Sequence, residues 1–171
     1  MLLTYSKIIG FPIFELSDQS RIGFVEDIII SPDELKIAAI AIKRSGFFST
    51  RYKIIPFVEI VHILKDGVLI KDSRSIEEID DLPRIKRLIE DKNFGVGQKV
   101  ITENGNPIGT VSDYLIESQT LAWTKIYVKS LLKERIIPIS KIVEINGKKI
   151  IVRDNLTKIK TEAPAVEIAA G

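Results

Sequence analysis

A stretch that occurs twice limits what this chain can fold into. The first copy runs Gly10-Phe11-Pro12-Ile13 and continues to Gly23-Phe24-Val25-Glu26-Asp27-Ile28-Ile29-Ile30. The second runs Gly97-Gln98-Lys99-Val100 and continues to Gly109-Thr110-Val111-Ser112-Asp113-Tyr114-Leu115-Ile116. Each reads as a strand, a polar turn, and a longer strand carrying Gly-x-Val-x-Asp before an apolar run. Gly23 and Gly109, Val25 and Val111, Asp27 and Asp113, and Lys43 and Lys129 are each 86 residues apart. Ile54-Ile55-Pro56 and Ile136-Ile137-Pro138 are 82 apart, as are Val61 and Val143. The register therefore changes once, by four residues, in the loop between the third and fourth strands, where insertions are tolerated. This is a duplicated domain.

Each copy reads as six short strands. In the first they span 11–16, 21–30, 35–43, 52–57, 59–64 and 68–71, separated by turn formers such as Ser31-Pro32-Asp33-Glu34 and Lys65-Asp66-Gly67. The pattern predicts a mainly β protein: two small, closed or nearly closed antiparallel barrels in tandem, joined by a short helical linker. The expected boundaries are 1–73 for the first barrel, 74–93 for the linker, 94–157 for the second barrel and 158–171 for a loose tail. In the linker, Ser75 and Glu78 have capping-box spacing, and Pro83 suits the first turn of a helix starting near Asp81. Ile85, Leu88 and Ile89 form an apolar stripe that must pack on one or both barrels.

Composition narrows the function classes. The chain has no cysteine, which removes disulfides, thiol catalysis and thiolate metal sites. A net charge of +2 implies no nucleic-acid partner by itself. No apolar run approaches the roughly 18 residues that span a membrane, and the first residues lack the apolar core of a secretory signal. The expected location is the cytoplasm.

The repeated residues resemble the PRC-barrel domain family. The resemblance lies in Ile9-Gly10-Phe11-Pro12-Ile13, Ile22-Gly23-x-Val25-x-Asp27 and Ile54-Ile55-Pro56-Phe57. It returns in Val96-Gly97-Gln98-Lys99-Val100, Ile108-Gly109-Thr110-Val111-Ser112-Asp113, Ile136 and Pro138. That family includes the barrel of the photosynthetic reaction-centre H subunit and the carboxyl-terminal domain of RimM-type ribosome-maturation factors. The resemblance implies a compact β-barrel used for binding or assembly, with no common catalytic residues. No apolar run in the sequence matches the membrane helix of the reaction-centre subunit. Its first half looks like a second PRC barrel, where the maturation factors carry a different RNA-associated one. Fold analogy therefore does not choose a function.

The residues themselves display no catalytic constellation. Gly10, Gly23, Gly97 and Gly109 with Asp27 and Asp113 read as structural, because glycine inside a strand marks a bulge or bend and small barrels need such corners. His62, the only histidine, has Glu144 as its counterpart 82 residues later and reads as a solvent-facing position, a poor metal ligand. No metal, cofactor or enzymatic activity is expected.

Two aromatic features remain as partner-binding candidates. In the loop from Lys43 to Lys53, the cations Lys43, Arg44, Arg51 and Lys53 bracket Phe47, Phe48 and Tyr52. Such a loop can stack bases and neutralise phosphate, touch an anionic membrane surface, or fold back to plug the barrel. On the strand Trp123-Thr124-Lys125-Ile126-Tyr127-Val128, simple alternation puts Trp123, Lys125 and Tyr127 on one face. The first copy has Ile37, Ala39 and Ala41 on the corresponding face. The aromatic face either anchors a protein partner or covers the linker helix. The leading expectation is a non-enzymatic binding or assembly module with a protein partner, including a homodimer. The alternative is a factor that contacts ribosomal RNA or a ribosomal protein through the basic aromatic loop.

Overall fold

The computed structural model describes residues 1–43, 53–91, 95–131, 133–146 and 149–154. Two seven-stranded sheets dominate it. The strands are β1 (Leu2–Thr4), β2 (Pro12–Glu15), β3 (Arg21–Ser31), β4 (Lys36–Lys43), β5 (Lys53–Pro56), β6 (Ile60–Ile63), β7 (Val68–Ile70) and β8 (Glu77–Glu78). The second half supplies β9 (Lys99–Thr102), β10 (Pro107–Glu117), β11 (Trp123–Lys129), β12 (Glu134–Pro138), β13 (Ile142–Asn146) and β14 (Lys149–Val152). Two α-helices, α1 (Tyr5–Ile8) and α2 (Pro83–Glu90), complete the elements used below.

The strand order is β6-β7-β2-β3-β4-β5-β8 in one sheet and β12-β11-β10-β9-β14-β13 in the other, with β1 added beside β10. The duplication extends to the irregularities. Register shifts fall between Val25 and Asp27, and between Val111 and Asp113, along the pairings of β3 with β4 and of β10 with β11. Others fall at Ile29/Ile30 and Leu115/Ile116, and a bulge precedes each motif glycine, at Ile22 and at Ile108. Bulges repeated at one spacing are built into the fold, because they bend a strand and redirect its side chains.

Three expectations need correction. The sheets are neither closed nor purely antiparallel: each hydrogen-bonded path has two ends, and β2/β7 and β9/β14 run parallel. In each copy a one-turn 3₁₀ segment, Phe57–Glu59 or Ile139–Lys141, turns the corner so that the final hairpin returns alongside the first strand of the copy. Next, Ser75 and Glu78 form no capping box. Asp72 instead accepts the Arg74 N–H, while Glu77 and Glu78 are extended as β8 on the edge of β5. Helix α2 does start at Pro83, as the fixed proline φ favours. Finally, the first residues are not confined to the first half. Strand β1 pairs with β10, Leu3 opposite Ile116, so both halves build the second sheet.

A single apolar core runs through both halves. Ile13, Ile40, Ile55 and Ile70 from the first join Tyr114, Ile116, Ile126 and Ile150 from the second. The join has approximate twofold character. The Ile37 N–H donates to Leu121 O at 3.0 Å, and the Trp123 N–H donates to Leu35 O at 2.8 Å. Leu35 and Leu121, 86 apart, both have left-handed backbone, with φ of 52° and 55°. A left-handed leucine is costly and persists only where its surroundings fix it, and here the same junction fixes both. A second, smaller apolar cluster forms outside the first sheet. There Ile85 of α2 packs on Ile29, Ala39, Ala41 and Ile54, while Leu82, Leu88 and Ile89 flank it. The two alanines leave room for the helix to approach the sheet closely.

Candidate binding surface

The bulge opposite Leu115 and Ile116 decides what β11 presents. With Trp123 paired to Ile116 and Lys125 to Leu115, Thr124 is the extra residue and the alternation shifts there. Trp123 therefore does not share a face with Lys125 and Tyr127, and Ile37 does not share one with Ala39 and Ala41. Trp123 is only 3% exposed and lies in the core with Ile126 and Val128. Its ring meets Tyr114 edge-on at 5.8 Å, and Tyr114 in turn lies 4.7 Å from Tyr5. Trp123 is thus neither a surface anchor nor a cover for α2. It belongs to the seam between the copies.

Lys125 and Tyr127 do lie on the outer face of the second sheet, where Lys125 is exposed and Tyr127 half-buried. They occupy the positions of Ala39 and Ala41. Leu115 and Ile136 occupy those of Ile29 and Ile54 and are half-buried. Among the described residues, no helix covers this face as α2 covers its counterpart. The adjoining loop carries Leu131, which is fully exposed. The other partner-binding candidates, Arg44, Phe47, Phe48, Arg51 and Tyr52, lie outside the described residues.

The motif aspartates hold the amino-terminal helix across the seam. Asp27 accepts the Ile28 N–H at 2.7 Å and Asp113 the Tyr114 N–H at 2.8 Å, the same local device in both copies. Asp27 also accepts the Tyr5 hydroxyl at 2.9 Å, while Asp113 accepts both the backbone N–H and the hydroxyl of Ser6. The Tyr5 phenol is pushed well above its ordinary value, by burial first and then by its bond to Asp27. Tyr114 moves the same way because it is buried, with Tyr5 and both aspartates adding to the effect. Both phenols therefore remain protonated, and that of Tyr5 is the donor to Asp27. Nothing in the sequence marks Tyr5 and Ser6 for this role. The one available clue was that two duplicated carboxylates both need donors.

The glycines divide by conformation. Gly10 and Gly97 have φ of +83° and +96°, and each N–H donates at 2.8 Å, to Val25 O and Val111 O respectively. Gly109 has φ +150°, and a Cβ there would sit 2.5 Å from Lys129 O, so β10 and β11 approach too closely for any side chain. Gly23 is buried beside the Ile22 bulge. His62 and its counterpart Glu144 are both exposed.

One further concavity, a cleft of about 300 Å³, lies where α2 begins, lined by Ile37, Pro56, Phe57, Leu82 and Arg84, with Glu34 at its edge. Glu34 and Arg84 are ion-paired there. Among the described residues, no cluster of three or more histidine or acidic side chains could hold a metal ion. Among them, too, no helix is long and apolar enough to cross a membrane.

No curated protein matches the chain. The PRC-barrel domain matches it twice, over residues 2–76 and 96–156. These two segments take in both sheets except the edge strand β8, with the repeated bulges and both Gly-x-Val-x-Asp stretches, so the chain belongs to the PRC-barrel family and carries its domain in tandem.

Proposed function

We propose that this chain is a non-enzymatic binding and assembly module that docks a protein partner on the outer face of its second sheet. The observation that carries this reading is the unequal treatment of two equivalent faces. On the first sheet, Ile29, Ala39, Ala41 and Ile54 are sealed by α2. On the second, Leu115, Lys125, Tyr127 and Ile136 have no such cover among the described residues. Tyr127, half-buried among aliphatic side chains, supplies the kind of aromatic anchor that protein interfaces favour. The duplicated carboxylates add support to a non-catalytic reading, because both are engaged in holding α1.

Capture of partners from a lysate, with Tyr127→Asp beside the unchanged chain, tests the proposal. The expected result is selective loss of partners from the variant, while Trp123 fluorescence remains that of a buried indole. An unchanged set of partners on a folded variant overturns it.

A further inference from the structure

We infer that the outer edge of β12, free among the described residues, takes up an extended, acidic segment of a partner protein by strand addition. The inference deepens, and rests on, the reading that the second sheet's outer side binds protein. Its warrant is a comparison of the chain with itself. In the first copy, the edge of β5 is occupied: Lys53 lies opposite Glu78 and Ile54 opposite Glu77. The Lys53 ammonium and the Glu78 carboxylate form an ion pair across that edge.

Strand β12 is the counterpart of β5, with Arg135 at the position of Lys53 and Ile136 at that of Ile54. It pairs with β11 on one side and ends the sheet on the other among the described residues. An unpaired strand edge presents a row of backbone donors and acceptors that another strand can complete. Pro138 removes one donor only at the far end of the strand.

Charge specifies the occupant. The segment from Trp123 to Pro138 carries Lys125, Lys129, Lys133 and Arg135 against one carboxylate, Glu134. The chain's own continuation does not repeat the acidic pair: 82 residues after Glu77-Glu78 stand Ile159-Lys160, which would set a cation against Arg135. Nor does the face fit a helix seated like α2, because Lys125 and Tyr127 replace the alanines that let α2 approach. An extended segment with carboxylates, lying along the edge rather than across the face, meets these constraints.

The probe is a synthetic peptide spanning residues 74–82, which contains the acidic strand without α2, titrated into the full isotope-labelled chain at low salt. Amide shifts concentrated on Glu134–Pro138 are expected. Binding should weaken several-fold on adding salt, on replacing both peptide glutamates by glutamine, and on N-methylating both of their backbone nitrogens. Arg135→Gln should weaken it too. Because Arg135 also donates to Ile108 O, the exposed Lys125→Glu serves as a second variant expected to do the same. Shifts mapping to β6 or β13, no shifts at all, or binding indifferent to N-methylation overturn strand addition. If Tyr127→Asp still abolishes partner capture in that case, the face reading survives and only the strand mode falls. If partner capture is also unaffected, both fall.

Discussion

Gly109 and Gly105 both have positive φ, yet substituting them should have different effects. At Gly105, with φ +81° and open space around the missing Cβ, alanine meets only the backbone penalty of the left-handed region, about 1 kcal/mol. At Gly109 the added carbon would also collide with Lys129 O, so two paired strands must separate. We expect Gly109→Ala to lower the unfolding free energy by at least about 2 kcal/mol, read from urea midpoints against Gly105→Ala. Asp72 offers a pH test at the same scale. Its bonds to the Arg74 guanidinium, joined by the Arg74 backbone N–H, hold the carboxyl at about 2 rather than 3.8. A folded pKa below the unfolded one means that the contact stabilises the fold above about pH 4. That contribution fades as pH falls towards 2. Carbon-detected titration should find the Asp72 carboxyl moving up towards its ordinary value in Arg74→Ala, and an unmoved midpoint would refute the pairing. At this scale the sequence was partly legible. Asp27 and Asp113 stand out in it because they recur 86 residues apart. It could not name Tyr5 and Ser6 as their donors, since those residues have no repeated counterpart and reach the aspartates only through folding.

Among the elements, β3 to β7 and β9 to β14 lie close to where alternation and turn residues put them. The face of β11 does not. Period-two reading assumes an unbroken ladder, and a bulge at Thr124 moves Trp123 to the interior while leaving Lys125 and Tyr127 outside. Register irregularities of this kind depend on the partner strand, so the sequence of one strand does not display them. The linker shows the opposite case. Its Ile85-Leu88-Ile89 stripe was visible as helical spacing, and α2 buries it on the small-residue face of the first sheet. Ile85 is 8% exposed there. Truncation by Ile85→Ala should destabilise the fold by about 2 kcal/mol, at the low end for a buried isoleucine because a surface helix can settle into the gap. Hydrogen exchange locates the effect. Protection should fall in α2 and β8 and remain unchanged in β9 to β14, whereas uniform loss across both sheets would mean that α2 supports more than its own face.

The whole molecule is less divisible than a tandem repeat suggests. The duplication was legible as two spacings, and it led to two barrels in tandem, joined by a short helical linker that packs on one or both of them. What it concealed was the seam, because contacts between equivalent residues leave no mark in a comparison of one copy with the other. Leu35 and Leu121 exchange backbone hydrogen bonds with Trp123 and Ile37, β1 is lent to the second sheet, and α1 is gripped by one aspartate from each copy. Each half alone is of a size at which a single core leaves little margin, and the shared core removes that difficulty. Removing residues 1–8 should therefore affect the half from which they are distant in sequence. It deletes the β1 ladder with its Leu3 opposite Ile116, empties both aspartates of their α1 donors, and opens the Tyr5–Tyr114–Trp123 stack. The single tryptophan reports the outcome directly. In the intact chain, Trp123 emission should be blue-shifted, resist iodide and follow the same unfolding curve as the far-ultraviolet circular dichroism. In the shortened chain, emission should shift red and become quenchable, with β9 to β14 losing exchange protection before β2 to β7. Selective loss confined to β2 to β7 would show that the amino-terminal residues serve the copy they precede, and the seam described here would be wrong.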